Sequence, residues 1–500
     1  MADPVDKTHR GSDDGSGTTQ PEIFERPKGF RGRFMHPATQ VALLAFVCFM
    51  CPGLYNSLTG LGGGGQVDET TGANANVALY STFSVMSFFA GSVNNKLGPR
   101  LTLQLGSLGY GLYIAGFLVL NIHPHAKAFV IAAGAVLGLC AGLLWTAQGS
   151  LMMAYPTEGD KAKFIAIFWA IFNLGGVVGA AVAFGTNFHT TAGNVQNGTY
   201  IAFLVLTIVG ACIPFLMTNP GNVIRTDGSK LRIMRNPSWK VELMGLYVAL
   251  KKDPMIVLLF PMFFASNWFY TWQFNDFNGA LFNIRTRSLN SMLYWSSQIV
   301  GSLIMAVVLD RKNVSRRTRA YAGWLIVLVT VFVVHGWAYH YQREYTRASP
   351  IVTDQTQRID FTDKRYDGRV FLYIFFGLLD AMWQTMAYWI MGAMSNDPSK
   401  LAYFAGFYKS IQSAGVAGVW RADAILTPFM DMFASTWALS AAGLIFALPM
   451  IHLRVKDTTA LEDELVARRI MTRMPVDKDG IPLTDVAAAA TEDKGNDGNQ

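Results

Sequence analysis

The chain is 500 residues long; 51% of it is hydrophobic and only 15% is charged, against about 25% charged in an ordinary globular domain. That balance excludes a soluble enzyme or soluble binding module and points to a protein that crosses a membrane many times. The formal net charge of +7 does not signal nucleic acid, because the basic residues sit between apolar runs, where they set orientation in a bilayer.

The first 36 residues are polar, rich in Gly, Asp, Ser and Thr, and read as a disordered cytoplasmic tail. No cleavable signal precedes the first apolar run, which is expected to act as its own anchor. Twelve runs follow, each near the roughly 20 residues needed to cross the hydrocarbon: 38–60, 75–95, 101–121, 128–152, 163–186, 199–218, 254–282, 289–309, 320–340, 370–394, 401–421 and 433–453. A polar stretch, 219–253, divides them six and six and carries Arg225, Lys230, Arg232, Arg235, Lys240, Lys251 and Lys252. Within it, 239–250 reads either as an amphipathic helix on the membrane surface or as a solvated loop.

Charge bias gives the orientation. With the N-terminus inside, the inner connections hold Arg26, Lys28, Arg31, Arg33, Lys96, Arg100, Lys161, Lys163, the seven of the linker, Arg311, Lys312, Arg316, Arg317, Arg319 and Lys400. The short outer connections hold only Lys127, Arg285, Arg287 and Arg421, so both termini are expected in the cytoplasm. The long outer loop 341–369 mixes acidic with basic residues and constrains topology weakly. Asn197-Gly198-Thr199 is a glycosylation sequon in an outer loop, whereas Asn313-Val314-Ser315 falls inside and should stay bare.

All four cysteines, Cys48, Cys51, Cys140 and Cys212, lie inside apolar runs and read as packing residues. The sequence shows no nucleotide site, metal-ligand cluster or nucleophile–base arrangement, so neither cofactor nor enzyme activity is expected. Gly134, Gly138 and Gly142, and the cluster Gly175, Gly176 and Gly179, let helices approach closely.

Between the second and third runs stands Gly91-Ser92-Val93-Asn94-Asn95-Lys96-Leu97-Gly98-Pro99-Arg100. Gly91 permits close helix contact, Asn95 can bond backbone freed at a helix end, Lys96 and Arg100 resist crossing, and Gly98-Pro99 turns the chain. The stretch resembles Gly-x-x-x-Asp/Asn-Arg/Lys-x-Gly-x-Arg/Lys, the signature hinge of major facilitator superfamily transporters. A degraded copy, Ala306-Val307-Val308-Leu309-Asp310-Arg311 followed by Ser315-Arg316-Arg317, ends the eighth run. Ala306 replaces the glycine there, so the second hinge is expected to latch less tightly.

The resemblance implies an all-α membrane protein of twelve transmembrane helices in two six-helix bundles, 37–218 and 254–455. The linker 219–253 and the tails 1–36 and 456–500 would be cytoplasmic. Gly91, Asn95, Lys96, Gly98, Arg100, Asp310 and Arg311 would form the inner gating hinges, with Arg100 and Asn95 as latch contacts.

Three stretches narrow the family. The first run ends in Cys51-Pro52-Gly53-Leu54-Tyr55-Asn56-Ser57-Leu58-Thr59-Gly60-Leu61-Gly62-Gly63-Gly64-Gly65-Gln66, whose four consecutive glycines suit a pliant gate or a tight turn. With 266–278 and 408–415 it resembles the fungal Unc-ninety-three-like branch of the major facilitator superfamily, over roughly 37–455. Some members of that branch look like transporters and others like regulatory or trafficking partners of membrane proteins, so the resemblance names no substrate.

Polar residues inside the runs are the site candidates, since a charge at mid-membrane costs about 2.5–3.5 kcal/mol on insertion scales. Asp380 lies near the middle of the tenth run with Gln384 and Tyr388 on the same face; Lys409 shares a face with Gln412 and Ser413 in the eleventh. Asp380 and Lys409 either face a central cavity or form a static ion pair. Tyr270, Trp272, Gln273 and Asp276 could stack on and hydrogen-bond an organic solute, or form an interfacial aromatic belt. Asn56, Gln148, Asn173 and Gln298 line the same cavity or bond between helices.

The function expected is alternating-access transport of an unidentified small organic solute in the plasma or vacuolar membrane, proton-coupled if Asp380 or Asp276 exchanges a proton. The competing expectation is a non-transporting regulatory subunit bound to another membrane protein, which the size of loop 341–369 favours slightly.

Overall fold

The structure, a computed structural model, describes residues 24–25, 27–66, 69–155, 161–190, 194–226, 228, 238–252, 254–311, 313–394 and 398–456. Most of both expected tails lies outside these residues, as do Arg26, Lys230, Arg232, Arg235 and Lys312 and the side chains of Lys161, Lys163, Lys252 and Lys400.

Among the described residues, twelve long helical segments follow one another: α1 (Pro37–Gly60), α2 (Glu69–Leu97), α3 (Pro99–Ile122), α4 (Lys127–Ala154), α5 (Lys161–Asn187), α6 (Asn197–Leu216), α7 (Pro254–Gly279), α8 (Ile284–Leu309), α9 (Arg316–Gln342), α10 (Asp367–Met394), α11 (Pro398–Ala424) and α12 (Phe429–Arg454). Their starts follow local chemistry. Pro37 opens α1 behind a His36 cap on the Ala38 amide, Asn283 caps Thr286 in α8, and Ser315 caps Thr318 in α9. Among the described residues, ten helices are long and apolar enough to cross a bilayer; α2 and α11 fall short because of their polar content. Those two helices pack against each other, so their polar groups meet protein in place of lipid.

Two large apolar cores form, one built almost entirely from α1–α6 and the other from α7–α12, and a small third cluster of Ala73, Val416, Trp420 and Ala424 joins α2 to α11. The helix partners repeat at an offset of six: α2 on α4 and α8 on α10, α3 on α6 and α9 on α12, α1 on α5 and α7 on α11. The two sets meet along α2–α11 and α5–α8. Glycines enforce the tightest approaches: a Cβ on Gly134 or Gly138 would strike the α2 backbone, and one on Gly53 would strike Gly175. Large apolar side chains such as Val205, Phe215, Leu303, Val307, Val333 and Ile445 point outward, the surface a lipid solvent requires.

Several boundaries differ from the sequence reading. Helix α2 starts at Glu69, six residues earlier than the second run. Helix α8 starts at Ile284 and α11 continues to Ala424. Arg285, Arg287 and Arg421, counted as charges of outer connections, therefore lie on helices, and Arg287 is fully buried. The linker forms a helix, Trp239–Lys252, that packs on α2 and α11, with Trp239 against Phe89.

At the hinge, Gly98 turns the chain at φ 77° and Pro99 opens α3. Arg100 donates to the carbonyls of Pro214 (3.4 Å) and Phe215 (2.9 Å), the carbonyl end of α6. It thus ties α3 to α6. Gly91 is buried, while Asn95 and Lys96 are exposed. In the second copy Asp310 and Arg311 are exposed; Arg317, at the start of α9, meets His452 near the end of α12 at 2.7 Å. That pairing mirrors the tie of α3 to α6.

Candidate functional site

The site begins with the irregularity of α7. Its first turns are 3₁₀ (Pro254–Leu259), and a short α segment ends at Ala265. Asn267 adopts φ 67°, a left-handed conformation that Asn tolerates better than most residues. The helix then restarts and widens into a π-helix over Trp272–Gly279. Such widening frequently marks functional sites, and here Gln273, Asn275, Asp276 and Asn278 are all buried. Buried polar groups need partners, and these send their side chains in different directions.

One direction leads to Asp380 on α10, buried at 1% exposure. Its Oδ2 accepts from the Tyr270 hydroxyl (2.8 Å), the Tyr294 hydroxyl (3.1 Å) and Gln298 Nε2 (2.6 Å). The Tyr294 hydroxyl also lies 3.0 Å from Gln273 Oε1. The other carboxylate oxygen has only a long contact, 3.4 Å, from Gln384 Nε2. Gln384 in turn donates to Asn267 Oδ1 at 2.6 Å and accepts from the Tyr408 hydroxyl.

Asp380 and Lys409 do not touch, so of the two alternatives the static ion pair is not formed. Gln384, Tyr408 and Gln412 stand between them. Gln412 Nε2 donates to the Tyr408 hydroxyl (3.3 Å), and Lys409 Nζ donates to Gln412 Oε1 (3.1 Å). The Lys409 ammonium stays exposed beside the Tyr408 and Tyr388 rings. Four helices thus contribute: α7, α8, α10 and α11. Asn56, Gln148 and Asn173 are half-buried on α1, α4 and α5 and do not bond to this cluster.

Trp272 and Asp276 part from it. The Trp272 indole packs between Phe376 and Phe433 and donates to Gln342 Oε1 at 2.7 Å. Asp276 points to the end of the bundle away from both termini, the distal end. There Arg347 reaches Asp423 (2.5 Å) and Asp276 (3.4 Å) and covers the Phe429 ring.

The distal end is closed by the glycine loop after α1. Asn278 donates to Gly60 O (2.9 Å), and Arg287 donates to Leu61 O (2.5 Å) and Gly62 O (2.5 Å). The Gly63 amide donates to Asn275 Oδ1 (2.8 Å), whose Nδ2 donates to Asp423 Oδ2 (2.7 Å). All four glycines, Gly62 to Gly65, have positive φ and are buried. The loop is therefore a packed seal rather than a pliant end. Asn275, Asn278, Arg287, Arg347 and Asp423 were not singled out from sequence, nor was Tyr294; only the polar spacing within 273–278 hinted at any of them.

A strap from the α9–α10 connection lies over this seal. Ile359 bridges Phe282, and Phe361 packs on Phe184 of α5 and on Phe188 just after it. Arg285 grips Asp360 with two bonds, 2.6 and 2.9 Å. Burial alone would raise the Asp360 carboxyl, but hydrogen bonds from Arg285, Asn283 and Thr362 outweigh it and hold it well below the usual carboxylate range. A carboxyl so depressed stabilises the fold fully above its unfolded value of about 3.9 and loses that contribution as pH falls through its folded value. The strap is therefore expected to stay closed from neutrality down to about pH 4. Asp360→Asn should cost about 2 kcal/mol at pH 7, read as faster amide exchange across 343–366.

Asn197 is exposed at the first turn of α6 and accepts from Asn121 Nδ2 (2.7 Å); the Thr199 hydroxyl is buried against Thr186 and Asn187.

A membrane-crossing helical array, partner helices repeated at an offset of six, and a buried carboxylate between helices define a polytopic membrane protein with the fold of solute carriers. The partially occluded inward open xylose transporter XylE from E. coli shares that fold, with a TM-score of 0.57 at 12% identity, covering 86% of this chain and 99% of that one. The family described as "Ion channel regulatory protein UNC-93" matches residues 63–448. A UNC93-like protein of Schizosaccharomyces pombe is 47% identical over 467 residues, 92% of each chain. UNC93-like protein 1 of Arabidopsis thaliana is 40% identical over 428 residues, 85% of this chain and 92% of that one. The chain belongs to the UNC-93 family.

Proposed function

We propose that this protein is a secondary transporter that carries a small organic solute past Asp380 by alternating access between two six-helix bundles, 37–218 and 254–455. The observation that carries the reading is the Asp380 cluster: a buried carboxylate with one oxygen fully engaged and the other nearly free, beside a broken helix. The separate apolar cores and the repeated helix partners support two bundles able to rock about α2–α11 and α5–α8. Both termini are cytoplasmic in this reading, supported by the lysine and arginine bias. The distal end then faces the outside or the vacuolar lumen, and Asn197 is the residue positioned for a glycan.

Coupling to protons is part of the proposal, with Asp380 as the exchanging group. Purified protein in vesicles loaded against a metabolite extract provides the test. Wild type is expected to accumulate one or a few solutes, more so under an inward proton gradient. Accumulation indifferent to the gradient would remove the coupling, and accumulation of nothing would remove transport. The second reading, a regulator of another membrane protein, draws on the family's description and the folded strap. It gains if the full-length protein moves no solute but co-purifies stoichiometrically with a channel or receptor.

A further inference from the structure

A cavity of about 410 Å³ opens at the distal end, apart from the Asp380 cluster. Its walls come from both sets of helices: Glu69 from α2; Val352, Thr353 and Arg358 from the strap; Leu426 and Phe429 from the α11–α12 turn and the start of α12. Arg347, also at its edge, is fully engaged by Asp423, Asp276 and the Thr427 carbonyl.

Two other charged groups on its wall, Arg358 and Glu69, carry opposite charge and attract each other. Arg358 is 7% exposed; it donates to Gly279 O at 2.9 Å and to Val352 O at 3.5 Å, and its buried Nε–H meets no acceptor among the described residues. The Glu69 carboxyl lies against Gly279, where any side chain would collide with it, and it makes no hydrogen bond with another described residue. Glu69 and Arg358 thus stand in one cavity as opposite charges that attract each other with no direct hydrogen bond between them, an arrangement that a ligand carrying both charges would complete. The apolar wall carries its own irregularity: Leu426 is held at φ 64°, where a branched side chain is rarely found, and such strain concentrates at ligand sites.

We propose that this cavity binds a small zwitterion of the amino-acid type with an apolar side group. The ammonium pairs with Glu69, the carboxylate faces the Arg358 guanidinium, and the side group rests on Val352, Leu426 and Phe429. Because walls from both sets of helices enclose it, the ligand favours the closed distal end by binding that arrangement alone. The site is distinct from the central one and does not depend on what passes Asp380.

The test is calorimetric titration of the full chain in nanodiscs with L-leucine, isocaproate and isoamylamine, each up to about 10 mM. L-leucine is expected to bind saturably, and the two compounds lacking one charged end at least about tenfold more weakly. Glu69→Gln and Arg358→Lys should each weaken L-leucine binding by about tenfold. Thr353→Trp, which fills the cavity from an exposed position, should abolish it. Asp380→Asn should leave it unchanged. Thermal melts confirm folding; if Arg358→Lys fails to fold, the other two variants decide. The proposal is overturned if folded wild type shows no saturable binding, or if Glu69→Gln and Thr353→Trp bind as wild type. Loss in Asp380→Asn with retention in Glu69→Gln also overturns it, placing the zwitterion at the central site.

Discussion

Gly62→Ala is expected to open the distal seal. Gly62 sits at φ 78° and ψ 136°, a conformation essentially reserved for glycine, and imposing a side chain there costs about 1–3 kcal/mol. Its new Cβ would also lie 2.3 Å from Phe274 O and 2.9 Å from Gly279 Cα, backbone that cannot swing aside, adding about 1–3 kcal/mol of overpacking. The seal is the arrangement penalised, because the collisions exist only while the loop is clasped by α7 and α8. A shift of about 3 kcal/mol changes a closed-to-open ratio by roughly 100-fold.

The reporter is Ser291→Cys, a position fully buried beneath Gly60. Its modification by an impermeant maleimide from the distal side should accelerate by about 100-fold when Gly62→Ala is added, after subtracting the parent's native cysteines. Gly98→Ala is the control. Gly98 also has positive φ but nothing within 4 Å of a new Cβ, and it lies at the other end of the bundle. It should strain the hinge without exposing residue 291. Equal labelling rates with and without Gly62→Ala would show that the glycine loop does not close the protein.

The seal also marks the limit of what could be read along the chain. Apolar runs placed every long helix, because lipid demands one side-chain chemistry over a fixed length. Even α2 and α11 were legible as runs, although their polar residues serve a helix–helix interface. Arg287 was misplaced for a physical reason. A basic residue at the edge of a run belongs in water by default, and only carbonyls freed by a glycine loop more than 200 residues away make its burial tolerable. Local pattern contains no trace of that pairing.

Asp380 stood out because a lone carboxylate in an apolar run needs a reason. Tyr270 and Gln298 stood out as polar residues but not as its partners, and Tyr294 did not stand out at all, since tyrosine is an ordinary residue for such helices. Proximity in sequence groups Tyr270, Trp272, Gln273 and Asp276 as one cluster. The break at Asn267 and the π-helix distribute them instead among the central carboxylate, the Gln342 core and the distal seal.

Asp380→Asn is the change expected to separate a solute site from a structural brace. The amide keeps the shape of the carboxylate, and Tyr270 and Tyr294 can turn their hydroxyls to accept from it. Folding should therefore survive within about 1 kcal/mol. Uptake should nevertheless fall at least about tenfold, since the nearly free oxygen carries the charge that would engage a solute or a proton. Asp380→Leu behaves differently. It leaves the Tyr270, Tyr294 and Gln298 donors buried without their acceptor, each at about 1–3 kcal/mol, so stability and uptake should collapse together. Lys409→Met should be milder than either, because Lys409 is exposed and, among the described residues, its one hydrogen bond is to Gln412. Were Asp380→Asn to take up solute as wild type does at equal expression, the carboxylate would be a brace, and the transport path would have to run elsewhere between α7 and α10.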